Sequence, residues 1–294
     1  MGTRALVLGG GGPVGIAWEA GLIAGLAEAG IDLSQADFIM GTSAGSYVGA
    51  HLASGRTPAD VAAPFLGRGE MPVSASEKLT APPDLTPLIG KIMESYAGVR
   101  PSAEVCGEIG AWALASAALT EEVYLATFDH ALAAIPADSW PGHNFACTTV
   151  DAESGEFVLW NREADVPIRL AVASSCAVPG IYPPVTITAG NRARRYMDGG
   201  MRSATNADLA KDYDMVVVIA LSGESMPEVF RRPLERELQV LRDSGSRVEL
   251  IRPDAASLES FGPNLMDPRR RPAAATSGFR QGQAGIETLR TLWA

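Results

Sequence analysis

The run LVLGGGGPVGIAWEAG, residues 6–21, decides how the rest of the chain is read. Gly9 to Gly12 and Gly15 follow a short apolar segment, RALVLG at 4–9, which reads as a buried strand. They precede a stretch that keeps helical apolar spacing at Ile16, Ala20, Ile23 and Ala27. Pro13 falls in the first turn of that helix, where its missing N–H costs nothing, and Gly30 suits its C-terminal stop. Something must approach the backbone of this loop so closely that side chains are excluded. One such group is a dinucleotide pyrophosphate, and Gly10, Gly12 and Gly15 satisfy G-x-G-x-x-G. The other is an oxygen that becomes negatively charged during a reaction and takes hydrogen bonds from main-chain N–H groups.

The next segment weighs between them. A dinucleotide site wants an acid at the end of the second strand, for the ribose hydroxyls. The second apolar run, ADFIM at 36–40, leads instead into Gly41-Thr42-Ser43-Ala44-Gly45, and Asp32 precedes that strand rather than ending it. GTSAG has the G-x-S-x-G spacing of a nucleophile elbow, a sharp strand-to-helix turn. Gly41 and Gly45 stand two before and two after the serine, where bulk would collide across the turn. Such a turn exposes Ser43 at the carboxyl edge of a sheet and at the start of a helix, whose dipole favours a developing alkoxide.

Further out, strand–loop–helix–strand–turn–helix over the opening 55 or so residues points to a parallel sheet. Residues 56–142 are punctuated by prolines and then carry two helical patterns, at 103–119 and 120–135, which read as a helical cap or insertion. Strand patterns follow at 144–151, 155–161, 214–221 and 247–254. Helical patterns follow at 166–180, ended by Pro179, at 227–245, and in a closing helix at 278–294. The expected architecture is a three-layer α/β/α sandwich with a mainly parallel central sheet, in one domain spanning 1–294.

A serine nucleophile needs a base. The Ser, acid, His order of an ordinary α/β-hydrolase fails here, because no histidine follows His143. His51 lies over two turns along the helix from Ser43, His130 falls in a cap helix, and His143 is the only flexible candidate. The base must then be sought among carboxylates. YMDGG at 196–200 supplies Asp198 followed by Gly199 and Gly200, a pattern that taken alone means only a turn.

Together GGGGPVG, GTSAG and DGG, in that order, resemble the patatin-like phospholipase family, and ASSCAVPGIYPPV at 173–185 is similar to its Ala-Ser-x-Ala-x-Pro segment. The resemblance implies a lipid acyl hydrolase with a Ser–Asp dyad, no metal and no cofactor. Carried onto this chain, Ser43 is the nucleophile and Asp198 the base, and the amides of Gly10, Gly11 and Gly12 form the oxyanion hole. Val14 departs from the family, which usually carries Arg or Lys there, so a cation that could meet an anionic headgroup is missing. Asn206 is a candidate brace for the Asp198 loop.

Bulk properties agree with a globular enzyme. The chain of 294 residues is 47% hydrophobic and 20% charged, which argues against disorder. A net charge of -10 disfavours nucleic acid as a partner. Cys106, Cys147 and Cys176 show no paired spacing, which suggests reduced thiols in a cytoplasm-like compartment. Neither they nor the three histidines have metal-ligand spacing. No signal peptide or membrane-spanning run is expected, so any membrane contact is peripheral. The expected partner is a lipid or acyl-ester substrate. Apolar residues in the cap, Trp112, Leu114, Leu119 and Phe128, could line an acyl groove, although such spacing more often forms core. Two other readings stand beside the hydrolase: a domain binding NAD or NADP through the glycine loop, and a catalytically silent binding module on the same fold.

Overall fold

The computed structural model describes residues 2–78, 84–98, 100, 102–116, 118–136, 140–189, 192–222, 226–285 and 287–293. Its strands are β1 (Arg4–Leu8), β2 (Phe38–Thr42), β3 (Phe145–Asp151), β4 (Phe157–Trp160), β5 (Val185–Ala189), β6 (Arg192–Asp198), β7 (Met215–Ile219) and β8 (Arg247–Ile251). The first helices are α1 (Gly12–Glu28), α2 (Ala44–Ala53), α3 (Pro58–Ala62), α4 (Thr86–Ala97), α5 (Ser102–Ser116) and α6 (Glu121–Ala131). They are followed by α7 (Ile168–Ser175), α8 (Glu228–Asp243), α9 (Ala255–Phe261), α10 (Arg271–Gln283) and α11 (Glu287–Trp293).

Strand β1 lies at the centre because both its edges are taken: parallel β2 on one side, Leu6 opposite Ile39, and parallel β7 on the other, Leu6 opposite Val217. The parallel set runs β3-β2-β1-β7-β8, and β4, β5 and β6 extend it with antiparallel pairings. The expected sandwich is therefore present, with a mixed sheet. Strands such as MVVVI in β7 read as unbroken apolar runs because helices cover both faces. Leu6, Leu8, Ile39, Val217 and Ile219 face the core shared with α1, α2, α7 and α10. Alternate residues Val7, Met40, Val216 and Val218 face Leu234, Leu238 and Leu241 of α8.

The segment between α2 and β3 spreads over the molecule. Helix α4 rests on α5 and α8, α5 packs on β3, and α6 packs on α7. Several elements differ from the sequence reading, among them α7, the closing helix and β6. Helix α7 ends at Ser175, four residues before Pro179, which has no N–H to bond that carbonyl and whose ring would clash with it. The closing pattern splits into α10 and α11 around Gly285, whose φ is +70°. Strand β6 was not read from RARRYMD because its outer half is solvent-exposed and basic, and only Tyr196 to Asp198 are buried.

Helices α1 and α10 touch through their backbones. A Cβ on Gly21 or Gly25 would overlap the carbonyl oxygens of Ala275 and Phe279, and one on Gly278 or Gly282 would overlap those of Trp18 and Leu22.

Candidate active site

Strand β3 brings the site together. Along one of its edges β2 pairs as far as Thr42 opposite Thr148, and β6 takes over with Asp198 opposite Thr149. Two strands running in opposite directions thus end facing one another, one register position apart. Ser43 and Asp198 meet at that junction, although 155 positions separate them in the chain. Gly199 closes against Thr148 so tightly that a Cβ would overlap its hydroxyl and carbonyl oxygens.

Ser43 sits at φ +51°, ψ -115°, a strained conformation for a residue with a side chain. The elbow is locked on both sides: a Cβ on Gly41 would run into the Gly45 carbonyl, and one on Gly45 into that of Leu8. Ser43 N–H donates to the Ser175 hydroxyl at 3.0 Å, and the Ser43 carbonyl accepts from the hydroxyl of Ser46 and the thiol of Cys176. Its main chain is therefore fully held, while its side chain heads α2.

Asp198 is 2% exposed. Its Oδ1 accepts from Gly200 N–H at 2.7 Å, and among the described residues its buried Oδ2 has no hydrogen-bond partner. Burial pushes its pKa up to about 7, opposed by the nearby Ser43 side chain and by Gly200 N–H. At neutral pH this carboxyl is poised between acid and base. Asn206 braces the loop as the sequence suggested. It adopts φ +53°, and its amide donates to Ser203 O at 2.7 Å, Thr42 Oγ1 at 3.1 Å and Gly199 O at 3.3 Å.

The glycine loop lies across from the elbow. Gly10 N–H donates to Ala204 O at 2.7 Å, and a Cβ on Gly10 would stand 3.4 Å from that of Ser43. Among the described residues, nothing accepts from Gly11 N–H or Gly12 N–H, which head α1. Gly12 has φ +59°, and Gly15 packs on Ala44 and Leu221. Val14 is fully buried in the core, a position a cation could not share.

Ser43 opens into a mainly apolar cavity between α2, α6 and the loop after α7. Phe128 lines it. Of the other apolar cap residues, Leu114 is exposed, and Trp112 packs against Gly180. None of the histidines reaches Asp198 or Ser43. His51 is buried edge-on to Tyr47, His143 contacts the Ala36 carbonyl before β2 begins, and His130 is exposed in α6. Asp32 caps the turn at 33–35, and β2 ends in Thr42, so no acid stands at the end of the second strand. Among the described residues no cluster of acidic, His or Cys side chains suits a metal ion, and no helix is long and apolar enough to cross a membrane.

Three supports are absent from the sequence reading. Ser175 orients the elbow amide, Tyr96 donates to Gly200 O at 2.6 Å, and Glu237 of α8 accepts from Thr205 Oγ1 and Ala207 N–H behind Asn206. Glu237 does carry a signal: an acid on the Leu234, Leu238, Leu241 stripe breaks the apolar pattern of its helix.

No curated protein matches the sequence. Among solved structures, VipD from Legionella pneumophila is similar at 14% identity and a TM-score of 0.45, over 99% of this chain and 67% of that one. The type III effector protein ExoU is similar at 16% identity and a TM-score of 0.42, over 98% of this chain and 53% of that one, so the chain spans about half of ExoU. Residues 6–211 match the patatin-like phospholipase family, and that span holds the glycine loop, the elbow and the Asp-Gly-Gly turn. The chain belongs to the patatin-like phospholipase family.

Proposed function

We propose that the protein is a serine acyl hydrolase that cleaves carboxylic esters, of lipids in the first place, through Ser43 and Asp198. One observation carries this reading: the strained Ser43 opens into an apolar cavity at the point where β6 delivers a buried, half-satisfied carboxyl. The ionised Asp198 takes the Ser43 proton as its oxygen attacks the ester carbon. The alcohol leaves with a proton returned from Asp198, and water then hydrolyses the acyl-enzyme by the same route. Burial that lifts Asp198 toward neutrality makes it a far better base than an ordinary aspartate.

The oxyanion is received by Gly11 and Gly12. Gly10 N–H is engaged by Ala204, and Pro13 has none, so Gly10 contributes by its lack of a side chain beside Ser43. Each such donor is worth about 3–4 kcal/mol in the barrier. No step calls for a metal or a cofactor.

The test is covalent labelling. A fluorophosphonate should modify Ser43, read by mass spectrometry of the tryptic peptide, with no adduct in Ser43→Ala and labelling slowed ~10²–10⁴-fold in Asp198→Asn. An unmodified Ser43 in folded protein refutes the reading.

A further inference from the structure

The cavity beside Ser43 is small and braced. Its volume is about 80 Å³, roughly half that of the ~150 Å³ apolar cavity that takes a benzene ring. Three rings form its floor. Tyr124, fully buried, stacks on Tyr182 with centroids 4.8 Å apart, meets Phe128 edge-on at 5.2 Å, and donates its hydroxyl to Ala173 O at 2.8 Å. The segment Pro72–Ala75 also lines the cavity. One side chain of α10 ties that wall down. Arg271 donates from Nη1 to Pro72 O at 2.5 Å, from Nη2 to Glu77 Oε1 at 2.6 Å, and from Nε to Pro268 O at 3.0 Å. Arg271 is itself 7% exposed and lines the cavity.

We propose that this cavity is the acyl site and that it selects short acyl chains, on the order of four carbons, with the aromatic floor and the Arg271 latch setting the limit. The inference rests on the hydrolase reading and narrows it. A longer chain meets the Tyr124–Tyr182 stack and a wall tied to α10. Close packing makes a surplus methylene in such a pocket costly, as repacking the ring stack strains rings held by their own contacts.

Two probes test it on the 294-residue chain. Turnover of p-nitrophenyl esters from acetate to dodecanoate should give a kcat/KM that peaks at or below butanoate and falls ~10-fold or more by octanoate. Ser43 should likewise be phosphonylated faster by an ethyl than by a dodecyl fluorophosphonate. Phe128→Ala, which lowers the floor, and Arg271→Gln, which frees the wall, should each raise the octanoate-to-acetate ratio ~10-fold. Arg271→Gln serves alone if the Phe128 variant does not fold. A peak at octanoate or beyond, equal labelling by the two phosphonates, or an unchanged ratio in the variants overturns the proposal while leaving the hydrolase intact. Labelling of Ser43 by neither probe overturns the hydrolase reading, and this inference with it.

Discussion

At the scale of single residues, Asp198 carries two opposed consequences of burial. In the proposed reaction its ionised form is the base, so kcat/KM should drop about tenfold per pH unit below about 7. The same burial favours the protonated native state. With a native pKa raised above that of the unfolded chain, stability is fully present below the ordinary carboxylate range and is lost as pH rises toward about 7. Asp198→Asn keeps an acceptor for Gly200 N–H, and its stability advantage over the parent should grow by about 2–4 kcal/mol from pH 4 to pH 8, read from urea midpoints. His51 has the opposite sign. Burial, aided by the Arg56 charge, lowers its pKa to about 4, so stability is lost as pH falls from about 6.5 toward 4. His51→Phe retains a ring against Tyr47 and should flatten that acid limb by about 2 kcal/mol.

Two elements explain how much could be read in advance. The glycine loop and elbow were legible because each is local: Gly41 and Gly45 are dictated by a turn that spans a few residues. Gly45→Ala should test that dictation directly, costing more than about 3 kcal/mol and abolishing phosphonate labelling. Gly30→Ala, with open space around its Cβ, should cost only about 1 kcal/mol, through its positive φ. Asp198 was legible only through resemblance. Its role depends on β6 replacing β2 along β3, a pairing between remote segments that no periodicity within RARRYMD announces. The glycine loop was legible as a tight turn between β1 and α1, yet the engagement of Gly10 by Ala204 needs the 199–206 loop folded over it. Glu19 stayed silent for the same reason. It is the sole charged residue between Arg4 and Glu28 and is fully buried.

Across the whole molecule, residues far outside the 6–211 match complete the structure. Helix α10 joins α1 through paired glycines and carries Arg271 to the cavity wall, so the helix that begins at the glycine loop and the latch form one unit. Truncation after Gly262 removes α10 and bares the Gly21–Gly25 face of α1. The shortened chain should lose its cooperative thermal transition and aggregate, although every motif remains, and light scattering during a thermal ramp would show it.

The central position of β1 has a consequence in time. Leu6 must find Val217 across more than two hundred intervening positions, and only then is the glycine loop held against the junction of β2 and β6. Pairings so distant close late. In a refolding experiment, phosphonate labelling of Ser43 is therefore expected to return after the helical signal.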